Sequence, residues 1–385
     1  MKVSQVYQLV NTVTQEVLGD SVVVAEDLSN TVDVGAAVFN ANSFDHYCRS
    51  LIDHVGRVVF VDRVYKGYAP NVVKDGWEWG AALQKIATVL PEAVENEDWN
   101  LQNGTSYDPN VFNGASVVQK FYQKRVTFEI DRSITEDQLK SAFSSATQLN
   151  GFVSMLFNEI QKSMTIKTDA LIMRGINSMI ADTIKADYAD AALNTKSGIK
   201  AVNLLYLYKQ LNTGSPLTAA DCIYDTDFLK FASMTMKMYA DRLAGISELF
   251  NIGGQARFTP KDMLHFVTLS EFNSAAEMYL QADTYHDTLV ALPNHEVVPF
   301  WQGSGTGYAL TDTSSINVTS GSGNAIEASG ILAVMFDKDA LGVSNIQDKV
   351  TTQYNAKASF TNYFYKRTEG LYTDGNENFV VFFVA

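Results

Sequence analysis

Residues 150–184 constrain this chain more than any other stretch. They read NGFVSMLFNEIQKSMTIKTDALIMRGINSMIADTI, 35 residues without a proline. Apolar Val153, Leu156, Ile160, Met164, Leu171, Met179 and Ile180 fall at helical spacing, which predicts one long α-helix. Asn150 suits the N-cap, because its side-chain oxygen can accept a backbone N–H of the first turn. Unbroken, such a helix spans roughly 52 Å at about 1.5 Å per residue. That is about three times the usual length of a globular helix. Thr165, Ile166 and Thr168 are β-branched, and Gly175 costs about 1 kcal/mol relative to alanine, so a bend or break near Gly175 is kept in view. Two readings stand at this point: the long core helix of an α/β enzyme, or a strut on which a flat, multi-part subunit hangs.

A chain of 385 residues with 46% hydrophobic and 19% charged content has the material for two or three compact units. Its formal net charge of −14 disfavours nonspecific phosphate binding, which needs clustered Lys and Arg. The same charge keeps many copies soluble through mutual repulsion. Cys48 and Cys222 stand far apart without a CxxC pattern, which argues for reduced thiols. The first twenty residues lack a signal peptide's apolar centre. No apolar run approaches the roughly 18 residues needed to span a bilayer.

Along the chain, residues 3–18 predict an amphipathic helix, followed by a loose arm through Ala41. Phe44–Val55 reads as a helix stopped by Gly56. Arg57–Tyr65 (RVVFVDRVY) is β-branched and aromatic, hence a strand. Its counterpart is Val117–Ile130, where Val126, Phe128 and Ile130 alternate with polar residues. Between them lie about fifty residues punctuated by glycine and proline, a length that is usually functional in a loop. This stretch holds Trp77, Trp79 and Trp99, three of the four tryptophans, and the acidic group Glu92, Glu95, Glu97 and Asp98. One reading is a satellite subdomain that buries its own aromatics. The other is a protruding hairpin that buries them against a neighbouring subunit, as tryptophan's enrichment at interface hot spots favours.

Ser133-Ile-Thr-Glu136 has the form of a capping box opening a helix to about Thr147. Helical pattern resumes at Val202–Leu211, Asp227–Leu243 and Glu271–Gln281, the last capped by Ser270. Short strands are expected at His265–Leu269, Val297–Trp301 and Ile331–Phe336, which makes the middle third α/β in character. Residues 302–330 read as surface loop. Thr351–Lys366 and Leu371–Val384 read as strands separated by a turn at Asp374-Gly375-Asn376.

Motifs that carry chemistry are scarce. Gly303-Ser-Gly305-Thr-Gly307 lacks the third glycine of GxGxxG, since Tyr308 stands there, and no helix start follows. There is no Walker motif, no HExxH, no paired CxxC and no GxSxG elbow. His46 and His54 would share a helix face, yet isolated histidines on an apolar helix are usually packing residues. Carboxylate pairs such as Glu92–Glu95 and Asp337–Asp339 default to a solvated face in so acidic a chain. No cofactor, no metal and no catalytic residues are expected, and the chain is read as a structural protein and not an enzyme.

The order of pieces resembles the major capsid proteins of tailed bacteriophages, whose fold is shared with encapsulins and the herpesvirus capsid floor. Ser50–Tyr65 (SLIDHVGRVVFVDRVY) looks like the helix leading into the extended loop of short-tailed phages of the small Bacillus-phage type. Ile134–Met164 is similar to the stretch entering that family's spine helix. Ala333–Val343 (AVMFDKDALGV), followed by Tyr354, Tyr363, Phe364 and Tyr365, resembles its peripheral-domain strands. The resemblance covers nearly the whole chain and rests on several pieces in order, with no single diagnostic motif.

What it implies is an α+β tailed-phage major capsid fold. Residues 1–43 form an N-terminal arm, 44–131 a helix and the extended β-hairpin loop, and 132–197 the peripheral domain with its spine helix. Residues 198–330 form the axial α/β domain, and 331–385 the C-terminal strands of the peripheral domain. The expected function is self-assembly into pentamers and hexamers of an icosahedral shell around packaged double-stranded DNA, which is enclosed without sequence-specific binding; no membrane is involved. The shell would form in the host cytoplasm. Only about 43 residues precede the first anchored helix, so a separate scaffolding protein is implied, together with a portal. No C-terminal immunoglobulin-like domain is expected. Some relatives cross-link a loop lysine to a distant asparagine; Lys74 and Lys85 lie in the loop here, with nothing in the sequence to assign them that chemistry. The expected interface residues in the extended loop are Trp77, Trp79, Trp99, Phe112, Phe121 and Tyr122. Alternatives left open are an encapsulin-like compartment shell, a cytosolic α/β enzyme with a long lid loop and, disfavoured by the missing signal peptide, a surface-layer protein.

Overall fold

The structure, a computed structural model, describes residues 3–19, 22, 24–26, 29–40, 46–47, 50–51, 68–74, 83–88, 103–104, 110, 112, 114, 117–122, 124–189, 191–281, 294–302, 309–319 and 325–385. The long helix, here α4, runs unbroken over 43 residues, Ala146–Tyr188. It begins one turn before Asn150. The N-cap is Ser145, whose side chain accepts the Gln148 N–H at 3.2 Å. Gly175 does not end the helix. A Cβ there would lie 3.0 Å from Leu371 Cδ1, so glycine is kept for close approach to a strand.

Two apolar cores share this helix. Leu149, Val153, Leu156, Ile160 and Met164 pack in one of them. That core also receives α1 (Val3–Leu18), α2 (Thr31–Asn40) and Tyr363 and Tyr365. From Leu171 through Ile176 and Ile180 to Tyr188, the helix packs in the larger core with a five-stranded sheet. Between the two halves lie the buried polar residues Thr168 and Asp169.

Three strands cover the first core, in order β10–β11–β3, with β3 at Arg125–Thr135, β10 at Leu341–Asn355 and β11 at Phe360–Thr373. Both pairs are antiparallel. One face of β11 carries Thr361, Tyr363, Tyr365, Arg367, Glu369 and Leu371, all buried, as the two-residue strand period requires. This face follows α4. Glu369 accepts a hydrogen bond from Thr168 Oγ1 at 2.8 Å, and Leu371 meets Gly175. The expected alternation of Val126, Phe128 and Ile130 holds, with all three half-buried against the cores.

The larger core is built on a five-stranded sheet, ordered β4–β12–β9–β5–β6. Its strands are β4 (Ala201–Asn203), β5 (Leu264–Leu269), β6 (Asn294–Val298), β9 (Ile331–Asp337) and β12 (Phe379–Phe383). Every residue of β9 and β12 is buried, which explains their continuous apolar runs. Helices α5 (Leu204–Leu211), α6 (Thr226–Leu243) and α7 (Ser270–Gln281) complete this part. α6 is capped by Asp225, which accepts the Phe228 N–H at 2.7 Å.

Several expectations are corrected. Residues 31–40 of the loose arm are helical. The capping box lies two residues on, at Thr135 and Gln138, and opens α3 (Glu136–Ala142). Ser133 stays in β3 because pairing with β11 continues to Thr135↔Phe360. Val202 and Asn203 belong to β4, and Asn203 caps the helix that follows. The 302–330 stretch contains the hairpin β7 (Ile316–Thr319) and β8 (Ala325–Ala328).

The expected strand Thr351–Lys366 is two antiparallel strands joined at 356–359. Asn355 Oδ1 caps this turn by accepting the N–H groups of Lys357 and Ala358, so no glycine or proline marks it. The turn at 374–376 is no hairpin; it carries the chain from one sheet to the other. Residues 46–47 and 50–51 are helical within the expected Phe44–Val55 helix. The Arg57–Tyr65 strand, Gly56, Cys48, His54, the 303–307 glycines and the 92–98 acidic group lie outside the described residues.

Candidate functional site: the root of the extended loop

The segment 68–74 and two strands, β1 (Leu83–Thr88) and β2 (Val117–Tyr122), attach the long loop to the body. β1 lies inside the stretch expected to be loop. It pairs with β2, in register from Leu83↔Tyr122 to Thr88↔Val117; the expected partner Arg57–Tyr65 lies outside the described residues.

Carboxylates and backbone groups hold the segment 68–74. The Tyr68 N–H donates to Asp169 Oδ2 on α4 at 3.1 Å, and the Asn71 N–H donates to Glu296 Oε1 on β6 at 2.8 Å. Val72–Lys74 pairs with Val343 of β10, with Lys74 N–H to Val343 O at 2.8 Å and Val343 N–H to Val72 O at 3.2 Å. Lys74 Nζ pairs with Asp339.

The hairpin is seated by a second charge cluster. Lys85 and Lys120 stand directly opposite each other in the β1–β2 register. Like charges so placed repel, and both lysines are satisfied by the turn that follows β11. Lys85 Nζ lies 2.9 Å from Asp374 Oδ2 and 2.6 Å from Glu377 Oε1, and Lys120 Nζ lies 3.1 Å from Asp374 Oδ1. Arg257 Nε adds a third cation 3.5 Å from Glu377.

Burial alone would raise the Asp374 carboxyl. The hydrogen bond and charge of Lys85, with the Asn376 N–H and Lys120, outweigh it and hold the pKa at about 2. Burial would likewise lower the Lys85 ammonium, but Glu377 and Asp374 raise it above an ordinary lysine. Lys74 similarly outweighs burial to lower Asp339. Aromatic rings back the cluster: Tyr122 packs on Tyr372 with centroids 5.3 Å apart, and Lys120 lies 5.2 Å over the Tyr122 ring.

Of the six expected interface residues, Trp77, Trp79 and Trp99 lie outside the described residues. Phe112 is 92% exposed and Phe121 is 57% exposed. Tyr122 is buried against Tyr372 of its own chain. Sequence reasoning missed the Lys85–Lys120–Asp374–Glu377 cluster. Lys85 was visible as a loop lysine and Asp374 as a turn residue, but nothing in the sequence joins positions nearly 300 residues apart. Among the described residues no group of three or more His, Cys, Asp or Glu is placed to hold a metal, and no helix is long and apolar enough to cross a membrane. Cys222 is buried, and burial pushes its thiol up to about 12.

The described residues thus form a strut helix joining two cores, with the base of a long loop clamped to the body. The chain belongs to the family of Phi29-like phage major capsid proteins, whose profile matches residues 10–383. It is a shell-forming major capsid protein, located in the capsid of the virion. Among solved structures it is similar to the capsid structure of Staphylococcus phage Andhra, at 10% identity and TM-score 0.46, covering 84% of this chain and 87% of that one. It is also similar to the capsid structure of the Cyanophage P-SCSP1u, at 12% identity and TM-score 0.47, covering 85% and 92%. A third similarity is to a chain in the structure of the head fiber and inner core protein gp22 of native bacteriophage P68, at 9% identity and TM-score 0.49, covering 84% and 86%. No curated protein matches.

Proposed function

We propose that copies of this chain form the pentamers and hexamers of an icosahedral shell enclosing packaged double-stranded DNA, with a separate scaffolding protein and a portal, in the host cytoplasm. The role is structural and not catalytic. The observation that carries this reading is the contrast at the loop: its root is fixed by the Lys85–Asp374–Lys120 cluster, while Phe112 and Phe121 present exposed aromatic surface. A rigid root aims the loop and an apolar surface seeks cover, which together suit contact with a neighbouring copy. Heterologous contacts of this kind close into rings when the rotation is right. In this reading Trp77, Trp79, Trp99, Phe112 and Phe121 meet the neighbour, and Tyr122 seats the loop from inside its own chain. The three-stranded sheet belongs to the peripheral domain in this reading, and the five-stranded sheet joins β4, β5 and β6 of the axial segment 198–330 to β9 and β12 of the C-terminal segment 331–385.

Negative-stain electron microscopy of the expressed chain, alone and with a scaffolding partner, tests the assembly. Closed shells built from rings of five and six are expected. A uniform monomer in both preparations at high concentration would sink the reading.

A further inference from the structure

A cavity of about 420 Å³ opens beside the segment leading into the loop, lined by Tyr68, Arg174, Asn177, Phe300, Gln302 and Asn317 among others. Its volume is within the range of binding pockets, about 300–1,000 Å³. Arg174 projects from α4 into exposed surroundings and has no ion pair or hydrogen bond among the described residues. Asn177, one turn further, is 5% exposed; its Nδ2 donates to Trp301 O at 2.6 Å while its Oδ1 has no partner. Tyr68 and Phe300 form an aromatic ledge with centroids 5.2 Å apart. The Tyr68 phenol is raised, by burial first and Asp169 second.

The opposite wall is locked. Gln302 Nε2 donates to Asn317 O at 3.0 Å, and the Asn317 N–H donates to Gln302 Oε1 at 2.6 Å. No carboxylate lines this cavity among the described residues. A guanidinium and a phenol without partners, set in a neutral polar pocket, are the donor set for a carboxylate.

We infer that this pocket receives an acidic side chain from a second copy of the chain. The inference rests on the shell reading above. The chain carries 43 acidic against 29 basic residues, so copies that meet must offset carboxylate repulsion. An unpaired arginine in a pocket without acids is where such a meeting becomes favourable. The pocket also adjoins the segment 68–74 that leads into the loop, so filling it would tie contact with a neighbour to the loop's anchor on Asp169.

The test uses the full chain, with shell formation followed by light scattering and confirmed by electron microscopy. Arg174→Glu and Arg174→Ala should raise the concentration needed for shells about tenfold, the factor one charge-assisted contact supplies. Arg174→Lys should retain part of the effect. All three should melt like wild type, because Arg174 is exposed and unpaired. Benzoylphenylalanine placed at Tyr68 should give a covalent dimer on irradiation of shells, mapped to an Asp- or Glu-containing peptide of the second copy. Shells from Arg174→Glu at the wild-type threshold, cross-links confined to one chain, or cross-links to a different protein would overturn the pocket and leave the shell reading standing. A wild-type chain that never forms closed particles would overturn both.

Discussion

At Asp374 one buried carboxylate answers two lysines from opposite strands of a hairpin, and its acidity follows from that. Its folded pKa of about 2 lies below the about 3.9 of an unfolded aspartate. The stabilisation is therefore complete above about pH 4 and is lost as pH falls through about 2. Thermal melts from pH 5 to pH 2 should show this loss, and Asp374→Asn should flatten that part of the profile. Lys85→Ala removes a partner of both Asp374 and Glu377. It should cost about 1–3 kcal/mol in urea unfolding, the range for hydrogen bonds to charged groups. A smaller loss on Lys120→Ala is expected, because Lys120 contacts Asp374 alone among these acids and is more exposed. Cys222, buried with its thiol raised to about 12, should resist alkylation at pH 8 until the chain unfolds, as peptide mass spectrometry would record.

At the scale of elements, α4 and β11 run side by side, and their facing residues change character together. Tyr363 and Tyr365 serve the first core, Glu369 meets Thr168, and Leu371 meets Gly175. Between the cores Arg367 Nε lies 2.9 Å from Asp348 Oδ1 and its Nη1 lies 3.7 Å from Glu369 Oε1. A buried ionic seam of this kind is costly to break by halves. Gly175→Leu forces bulk against Leu371 and should destabilise by about 1–3 kcal/mol despite leucine's better helix propensity. Thr135→Ala removes the N-cap of α3 and should cost about 1 kcal/mol. Both are measured by denaturant unfolding.

For the whole molecule, the β1–β2 hairpin of the long loop is held by ion pairs outside the two cores, while Ala69 and Val72 of the segment leading into the loop are buried in the larger core. Replacing residues 89–116 with an Asn-Gly turn joins Thr88 to Val117, which already face each other. The shortened chain should keep the wild-type melting temperature to within a few degrees and fail to form closed shells under the electron microscope. Shells of normal shape from this variant would remove the loop from assembly.

The sequence alone determined the helix-forming core of α4, the helices 3–18, 226–243 and 270–281, and the apolar strands β5, β9 and β12. In each, local period and composition agree with burial, so the signal is written within a few turns or a few strand residues. The order of these pieces was enough to carry the resemblance to tailed-phage capsid proteins. Tertiary structure alone decided the rest. Gly175 reads locally as a helix weakness, and only its contact with Leu371 makes it a packing position. Ser133 reads as a cap, but the ladder with β11 keeps it in the strand and moves the cap to Thr135. The turn at 356–359 is made by one asparagine side chain without glycine or proline. Lys85, Lys120, Asp374 and Glu377 come from three distant segments, and electrostatic pairing across such separations leaves no periodic trace. Arg174 and Tyr68 likewise become a pocket only when α4 passes beneath the segment that leads into the loop. Period and composition report what each residue does for its own helix or strand; the partners brought to it by folding are a property of the assembled chain.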